Sequence, residues 1–123
     1  MLPRPYKLTR SDDFRRAVKD GVRAGSRLLV VHAVDCSSDI ERLGGPRFGL
    51  VVSKAVGNAV VRHRMSRRLR HLAGHSISSG AARKECDYVL RALPAIADAT
   101  TEEIRREYEK ALRRVHGKLD RRS

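Results

Sequence analysis

The arginines of residues 53–70 are the side chains whose type and spacing point most directly to a chemistry. This segment, SKAVGNAVVRHRMSRRLR, contains six basic residues and no acidic one. A guanidinium donates two parallel hydrogen bonds to a phosphate and also stacks on planar rings. A turn at Gly57 and Asn58 precedes the arginines and exposes backbone amides where a helix begins. The segment therefore predicts a surface that binds phosphate groups.

Helical periodicity divides this segment into two faces. At about 100° per residue, one face is apolar and consists of Val61, Met65, Leu69, Leu72 and Ala73. The opposite face is basic and consists of Arg64, Arg67, Arg68, Arg70 and His71. Arg62 lies at the rim of the apolar stripe, so we expect its guanidinium to reach the same polyanion or a backbone carbonyl.

The charge of the whole chain supports a polyanionic partner. Its 123 residues include 27 Lys and Arg and 14 Asp and Glu, for a formal net charge of +13. Residues 44–84 contain nine basic residues and no acidic one. A merely solvated helix face is the alternative for such a run, but that alternative predicts interleaved acids. Nucleic acid is therefore the expected class of partner.

Catalysis by the protein's own side chains is not expected. A catalytic site needs convergent acids, bases or a nucleophile, and the acidic residues lie where helix caps and ion-pair partners belong. No phosphate-binding glycine loop of the P-loop or Rossmann type is present. His71 and His75 are one helical turn apart but have no Cys, Asp or Glu nearby, and Cys36 and Cys86 have no CxxC spacing. We predict no catalytic residue and no protein-bound metal, with both thiols buried or half-buried.

The chain is predicted to be one domain, because its length supports a single modest core. It has no apolar run near the roughly 20 residues of a membrane span and no signal-peptide pattern, which favours a cytoplasmic protein without membrane contact. Residues 1–10 are expected to be an extended segment, and residues 120–123 a disordered tail.

Six elements must position the phosphate-binding side chains. The first is a helix from an N-cap at Ser11 to residue 19 or 20, and two strands follow at residues 27–35 and 47–52. The second helix runs from Ala59 to His71 or beyond. A strand at residues 87–93 and a helix capped by Thr100 and Glu103 complete the chain. The second helix is expected to end near Gly74, followed by a loop to residue 82. The order α-β-β-α-β-α predicts an α+β fold with a three-stranded sheet in which the first two strands are neighbours.

The last helix has the clearest pattern. Its core stripe consists of Ile104, Tyr108, Ala111, Leu112, Val115 and Leu119. On its exposed side, the i,i+4 spacing predicts ion pairs between Glu102 and Arg106 and between Glu109 and Arg113.

The basic segment resembles the signature of a known family, the protein subunit of bacterial ribonuclease P. The resemblance rests on residues 53–64, SKAVGNAVVRHR, and on residues 67–70, RRLR. It extends to residues 6–8, to Asp13 and Phe14, and to the order of elements. The Arg-Asn-Arg core of the family reads Arg-His-Arg at residues 62–64 here, which keeps both guanidiniums and replaces an amide with an imidazole.

The resemblance implies a mechanism in which the RNA subunit of that family is the catalyst. That RNA uses Mg²⁺ to hydrolyse precursor tRNA, while the protein binds the RNA through the signature helix and holds the 5′ leader in a cleft on the sheet. The implied partners are therefore the catalytic RNA, in a 1:1 complex with a monomer, and precursor tRNA. Mg²⁺ is the implied cofactor, bound mainly by RNA. The resemblance also implies a left-handed β-α-β crossover around the signature helix, against the usual right-handed preference.

By position, the resemblance assigns two groups of residues. The group that binds the RNA subunit consists of Lys54, Asn58, Arg62, His63, Arg64, Arg67, Arg68 and Arg70. The group that lines the leader cleft consists of Phe14, Val18, His32, Ser53, Lys54 and Arg91. The family often has aromatic residues where Val18 and His32 stand, so we expect less stacking in this cleft. For Phe14, an ordinary core position is the alternative.

Two other functions are compatible with the charge. A general RNA-binding protein, ribosomal or chaperone, would share the basic surface without the spacing of the signature. A self-sufficient nuclease would cut RNA without an RNA subunit and would depend on one of its own carboxylates.

Overall fold

The computed structural model describes residues 2–39 and 44–122. Within them, helices and strands follow in the order α1 (Ser11–Asp20), β1 (Val22–Gly25), β2 (Leu29–Asp35), β3 (Arg47–Val51), α2 (Ala59–Ser78), β4 (Cys86–Ala92) and α3 (Thr101–Arg122). Short 3₁₀ helices lie at Arg4–Tyr6 and Pro94–Asp98. The α+β prediction is confirmed.

The four strands form one mixed sheet in the order β1-β2-β4-β3. β2 pairs antiparallel with β1 and with β4, whereas β3 pairs parallel with β4. Almost every residue of β2 and β4 is at least half-buried, as expected for central strands covered on both faces. β3, α2 and β4 therefore form a β-α-β crossover at one edge of the sheet; its left-handedness stays a prediction.

Two expectations about the sheet are wrong. A fourth strand, β1, was not expected, because its four residues are too few for a clear alternation even though Val22 and Ala24 are buried. β2 and β3 are also not neighbours. β4 lies between them, because the crossover through α2 returns the chain to the inner side of β3.

The core has two parts on opposite faces of the sheet. The larger part lies between the sheet and helices α2 and α3 and includes Leu29, Phe48 and Tyr88. The smaller part lies under α1 and includes Ala17 and Val89. One face of the sheet is thus fully covered, whereas α1 covers only a portion of the other.

Helix α2 begins at the predicted residue but extends further than expected. The Asn58 side chain caps it by accepting a hydrogen bond from the Val61 amide at 3.0 Å. The helix continues past Gly74 to Ser78, because the Ser76 hydroxyl lies 2.8 Å from the Tyr108 hydroxyl and anchors the last turns to α3. Gly80, with a φ of +80°, turns the chain away. The predicted loop at residues 74–82 therefore begins later.

The ends of the other helices also differ in part from the sequence patterns. The capping box of α3 is confirmed, since the Thr100 amide donates to the Glu103 carboxylate at 2.9 Å and the Glu103 amide to the Thr100 hydroxyl at 3.1 Å. In α1, Arg10 occupies the N-cap position and Ser11 is already helical. Within the N-terminal segment, the Leu8 amide donates to the Phe48 carbonyl at 2.9 Å, which fastens the segment to β3.

Residues 120–122 belong to α3 rather than to the expected disordered tail; residue 123 lies outside the described residues. An ion pair of 2.8 Å joins Asp120 to Arg83, and the Arg122 guanidinium donates to the Asp20 carbonyl at 2.8 Å. Leu119 is buried beside them. These contacts extend the helix by fixing its last turn against β1 and the loop before β4.

The predicted ion pairs on α3 do not form. Arg105 instead pairs with both Glu102 and Glu109, the latter at 2.8 Å. Because Arg105 lies between the two carboxylates on the helix surface, its guanidinium forms an ion pair with each of them. Among the described residues, neither Arg106 nor Arg113 has a carboxylate within 4.0 Å.

Candidate nucleic-acid interface

Helix α2 presents a basic face to solvent and buries its apolar face. Met65, Leu69 and Ala73 have no exposed surface, and Leu72 is buried beside them. The side chains opposite are exposed or half-exposed, namely His63, Arg64, Arg67, Arg68, Arg70 and His71. The two faces predicted by helical periodicity are therefore present.

Within residues 2–39 and 44–122, the arginines of α2 form no ion pair with another side chain. Among the described residues, no carboxylate lies within 4.0 Å of Arg62, Arg64, Arg67, Arg68 or Arg70. Elsewhere the chain does pair its guanidiniums, as with Arg47 and Asp87 at 2.6 Å. An unpaired and solvated guanidinium keeps its hydrogen-bond donors available for an external anion.

A groove of about 620 Å³ runs along this basic face. Its walls include most of the predicted RNA-binding group, namely His63, Arg64, Arg67, Arg68 and Arg70, together with His71 and Leu72. Thr101 and Ile104 of α3 close its other side. Lys54 and Asn58 come before the groove residues in the sequence and do not line the groove. The Asn58 side chain caps α2 instead.

Arg62 occupies a position of its own at the rim. It is half-buried, and its Nε atom is buried without a hydrogen-bond partner in the part of the chain that the structure describes. The expected alternative of a bond to a backbone carbonyl is therefore not realised. A buried donor without an acceptor lowers the stability of the fold.

The second predicted group lies on the sheet face that α1 partly covers. Strand register aligns Arg23, His32, Val89 and Gly49 in one row across all four strands. Because side chains of paired residues point to the same face, Arg23 and His32 are direct neighbours. Arg23 was not predicted, since its place beside His32 requires strand β1.

The next row along the sheet consists of Val30, Arg91 and Val51. All three are half-buried, so this part of the face is open rather than covered by α1. Val30 and Val51 were also missed, because the sequence predicts the strands but not which positions share a face across them. The row forms an apolar floor with one guanidinium at its centre.

Phe14 and Val18 of α1 border this open area. The Phe14 ring lies directly on Gly49, where any Cβ would overlap two of its ring carbons. Val18, one turn later, remains 37% exposed. Phe14 is half-buried rather than a fully buried core residue, so one edge of the ring stays accessible.

His32 is the most unusual of these side chains. It is only 2% exposed, and neither ring nitrogen has a hydrogen-bond partner within the described residues. Burial lowers its pKa, and the positive charges of Arg91 and Arg23 lower it further. The imidazole is therefore neutral at pH 7 and contributes shape and polarity rather than charge.

The remaining two predicted residues, Ser53 and Lys54, follow β3 directly. Both are exposed. Their carbonyls accept the amides of Val56 at 3.1 Å and Gly57 at 3.2 Å, which forms the turn into α2. Lys54 thus follows β3 and precedes α2 along the chain, and its assignment to both groups stays a prediction.

The titratable groups of the larger core do not form a second site. The Tyr88 hydroxyl accepts the Arg83 amide at 2.9 Å and lies 2.6 Å from Nε2 of His116, within hydrogen-bond distance. Burial and the charge of Arg83 lower the pKa of His116, and burial raises the pKa of the Cys86 thiol to about 12. A thiol with so high a pKa is not a nucleophile at neutral pH.

In residues 2–39 and 44–122, no three His, Cys, Asp or Glu side chains are grouped so that they could hold a metal ion. No helix in this part of the chain combines the length and apolar character needed to cross a membrane.

Known proteins resemble this chain over most of its length. A family model described as Ribonuclease P matches residues 2–116. Among curated relatives, the Ribonuclease P protein component of Rhodococcus opacus is 47% identical over 117 residues, covering 94% of this chain and 92% of the relative. The protein of the same name from Nocardia farcinica is 44% identical, covering 94% and 83%.

A solved structure agrees with these relatives. The RNase P protein of Staphylococcus aureus superposes with a TM-score of 0.74 at 27% identity, covering 88% of this chain and 93% of that one. Because the match covers 88% of this chain, the similarity extends well beyond the basic segment.

Proposed function

The chain belongs to the ribonuclease P protein family, and on that premise we propose that it binds the family's catalytic RNA and holds the 5′ leader of precursor tRNA. The observation that carries the proposal is the basic face of α2. Five arginines lie on or beside it without a carboxylate partner among the described residues, although the chain has 14 acidic residues. Such a face is built for an external polyanion.

The groove of α2 is the proposed contact with the catalytic RNA. Arg64, Arg67 and Arg68 reach solvent from one wall, whereas the apolar side chains behind them, Leu72 and Ile104, are buried. Phosphates bind the guanidiniums, and an unstacked base stacks on a guanidinium plane. Arg62, half-buried at the rim of the apolar stripe, is one more contact that we assign to the RNA.

The open face of the sheet is the proposed contact with the leader. Its floor of Val30 and Val51 and the edge of the Phe14 ring offer van der Waals contact to a single strand. Arg91 offers a phosphate contact at the centre. Stacking is limited to Phe14, since Val18 and His32 replace the aromatic residues of the family pattern.

Hydrolysis is assigned to the RNA and not to the protein. Mg²⁺, which the family resemblance implies, does not fit the side chains of this chain: the phosphate-binding faces contain no carboxylate, and no metal-ligating cluster is found among the described residues. We therefore assign Mg²⁺ to the RNA and the substrate. The protein lowers the repulsion between two polyanions and so favours their docking. The 1:1 stoichiometry and the cytoplasmic location stay predictions.

Reconstitution tests this proposal. We expect the protein to stimulate cleavage of precursor tRNA by the catalytic RNA at low Mg²⁺, where RNA alone is slow, and to be inactive by itself. Lack of stimulation would favour a general RNA-binding protein. Cleavage by RNA-free protein, abolished by one carboxylate substitution, would establish a self-sufficient nuclease instead.

A further inference from the structure

A second concentration of basic charge lies in the C-terminal half of α3 and plays no part in the function proposed above. Residues 110–122 contain six Lys and Arg and one acidic residue, Asp120. Asp120 forms its ion pair with Arg83, which lies outside this segment, and its charge also acts on Arg121. The segment carries a formal charge of +5 in 13 residues, compared with +13 for the whole chain.

The exposed basic residues of this helix share one face. At about 100° per residue, Arg106, Lys110, Arg113, Arg114 and Arg121 fall within about 100° of arc, opposite the buried stripe that includes Tyr108 and Leu119. All five are exposed. We call these five residues, with Gly117, the α3 surface.

Internal ion pairs do not account for the α3 surface. The carboxylates that the i,i+4 pattern offers to Arg106 and Arg113 are taken by Arg105. Across the described residues, none of the five basic side chains has a carboxylate within 4.0 Å. By contrast, Lys118 and Arg122 donate to the carbonyls of Arg23 and Asp20, which fastens this half of α3 along β1.

Gly117 lies at the centre of the α3 surface, in the interior of a 22-residue helix. Glycine is less favourable than alanine there. Nothing described in the fold requires it, because an added Cβ would meet only the Arg121 guanidinium, at an ordinary 3.6 Å. A gap in a basic helix face lets another chain's backbone approach the helix closely.

We propose that the α3 surface is a second RNA-binding surface, on which a phosphodiester backbone crosses the helix at Gly117 with basic side chains on both sides. RNA is the occupant that the charge favours, since arginine predominates and arginine binds phosphate through two hydrogen bonds. Helix α3 packs on β1 and β2, whereas α2 contacts β3 at the opposite edge of the sheet. The protein therefore contacts RNA on two sides, and this inference rests on the proposed function.

The test measures affinity of the full-length protein for the catalytic RNA, and of the assembled complex for precursor tRNA. The variant Arg113→Ala/Arg114→Ala/Arg121→Ala is expected to bind one of them about tenfold or more weakly, with a log–log salt slope smaller by about 2–3. The RNA whose binding weakens identifies the occupant. The matched control removes three exposed basic residues outside these surfaces, Arg10→Ala/Arg15→Ala/Arg27→Ala, and is expected to bind nearly as wild type.

Gly117 permits a test that leaves the charge unchanged. Gly117→Gln is expected to weaken the same RNA contact while the helix stays folded. In addition, Cys36 and Cys86 are both buried, so a photo-crosslinker attached to Gly117→Cys reports this position alone and is expected to crosslink to RNA.

Two results would overturn the inference: wild-type affinity for both RNAs in the triple variant, or an equal loss in the control triple, which would indicate a general effect of net charge. Either result is distinct from failure of the proposed function, in which the wild-type protein itself does not stimulate cleavage.

Discussion

The ring of Phe14 rests on the backbone of Gly49, with no room for a side chain at position 49. Because Gly49 lies on β3 in the row of His32, this contact fixes the ring at the border of the open face. Phe14 is thus both a packing residue and a wall of the proposed leader cleft. Its position depends on a glycine whose φ is not left-handed, so the requirement is one of space and not of backbone conformation.

Gly49→Ala is therefore expected to displace the Phe14 ring. The overpacking lowers the free energy of unfolding by about 1–3 kcal/mol. We also expect weaker binding of precursor tRNA, with binding of leaderless tRNA and of the catalytic RNA unchanged. Gly74→Ala is the control, because its Cβ would meet only Leu2 at 3.9 Å. Equal loss of affinity for tRNA with and without a leader would show that the ring does not contact the leader.

The ion pair between Arg47 and Asp87 is expected to dominate the electrostatic part of stability. It joins β3 to β4 under α1, the Asp87 side chain has no exposed surface, and Asp13 lies 3.6 Å from the same guanidinium. Arg47→Met leaves a buried carboxylate without this partner, which costs about 3–5 kcal/mol.

The matched control for Arg47→Met is Arg16→Met. Arg16 pairs with Asp39 at 2.8 Å, but both side chains are about one-third exposed, so the expected cost is about 0–1 kcal/mol. Urea unfolding of the two variants measures the difference. Similar costs for both would mean that the burial of Asp87 has no energetic consequence.

Stability of the free protein is expected to fall in mild acid. Burial lowers the folded-state pKa of His32 and of His116, so the unfolded chain takes up these protons at higher pH than the folded chain does. The stability that the neutral imidazoles provide is complete above the unfolded pKa of about 6.5. It is lost as pH falls from there through the folded pKa values.

His116→Gln provides the comparison for this pH dependence. A glutamine oxygen can still accept from the Tyr88 hydroxyl but does not titrate. Urea unfolding between pH 8 and pH 5 is expected to show a smaller loss of stability in the variant than in wild type. Parallel curves would assign the acid sensitivity to other groups.

The two faces of α2 were predictable because they depend only on local helical periodicity, and the capping box at Thr100 and Glu103 is likewise local. The order of the strands was not predictable from the sequence, since the position of β4 between β2 and β3 depends on long-range pairing. The neighbours of His32 follow from that pairing, and Arg23 in particular from a strand of four residues. The choice of Arg105 over Arg106 and Arg113 depends on side-chain positions that spacing alone does not determine.

The α3 surface could not be recognised from the sequence alone. Its charge is visible in the sequence of residues 110–122. However, i,i+4 spacing predicts carboxylate partners for Arg106 and Arg113. With those partners the helix face would be internally neutralised, and an ordinary solvated face would be the expected interpretation. Only the geometry of Arg105 shows that these partners are occupied.

The most direct test of the account is the salt dependence of binding to the catalytic RNA, compared between wild type and Arg64→Ala/Arg67→Ala/Arg68→Ala. Three lost phosphate contacts are expected to reduce the log–log slope by about 2–3 and to weaken binding, with the far-ultraviolet circular dichroism unchanged because these side chains lie opposite the buried stripe. An unchanged slope in a folded variant would contradict the assignment of the α2 face to RNA.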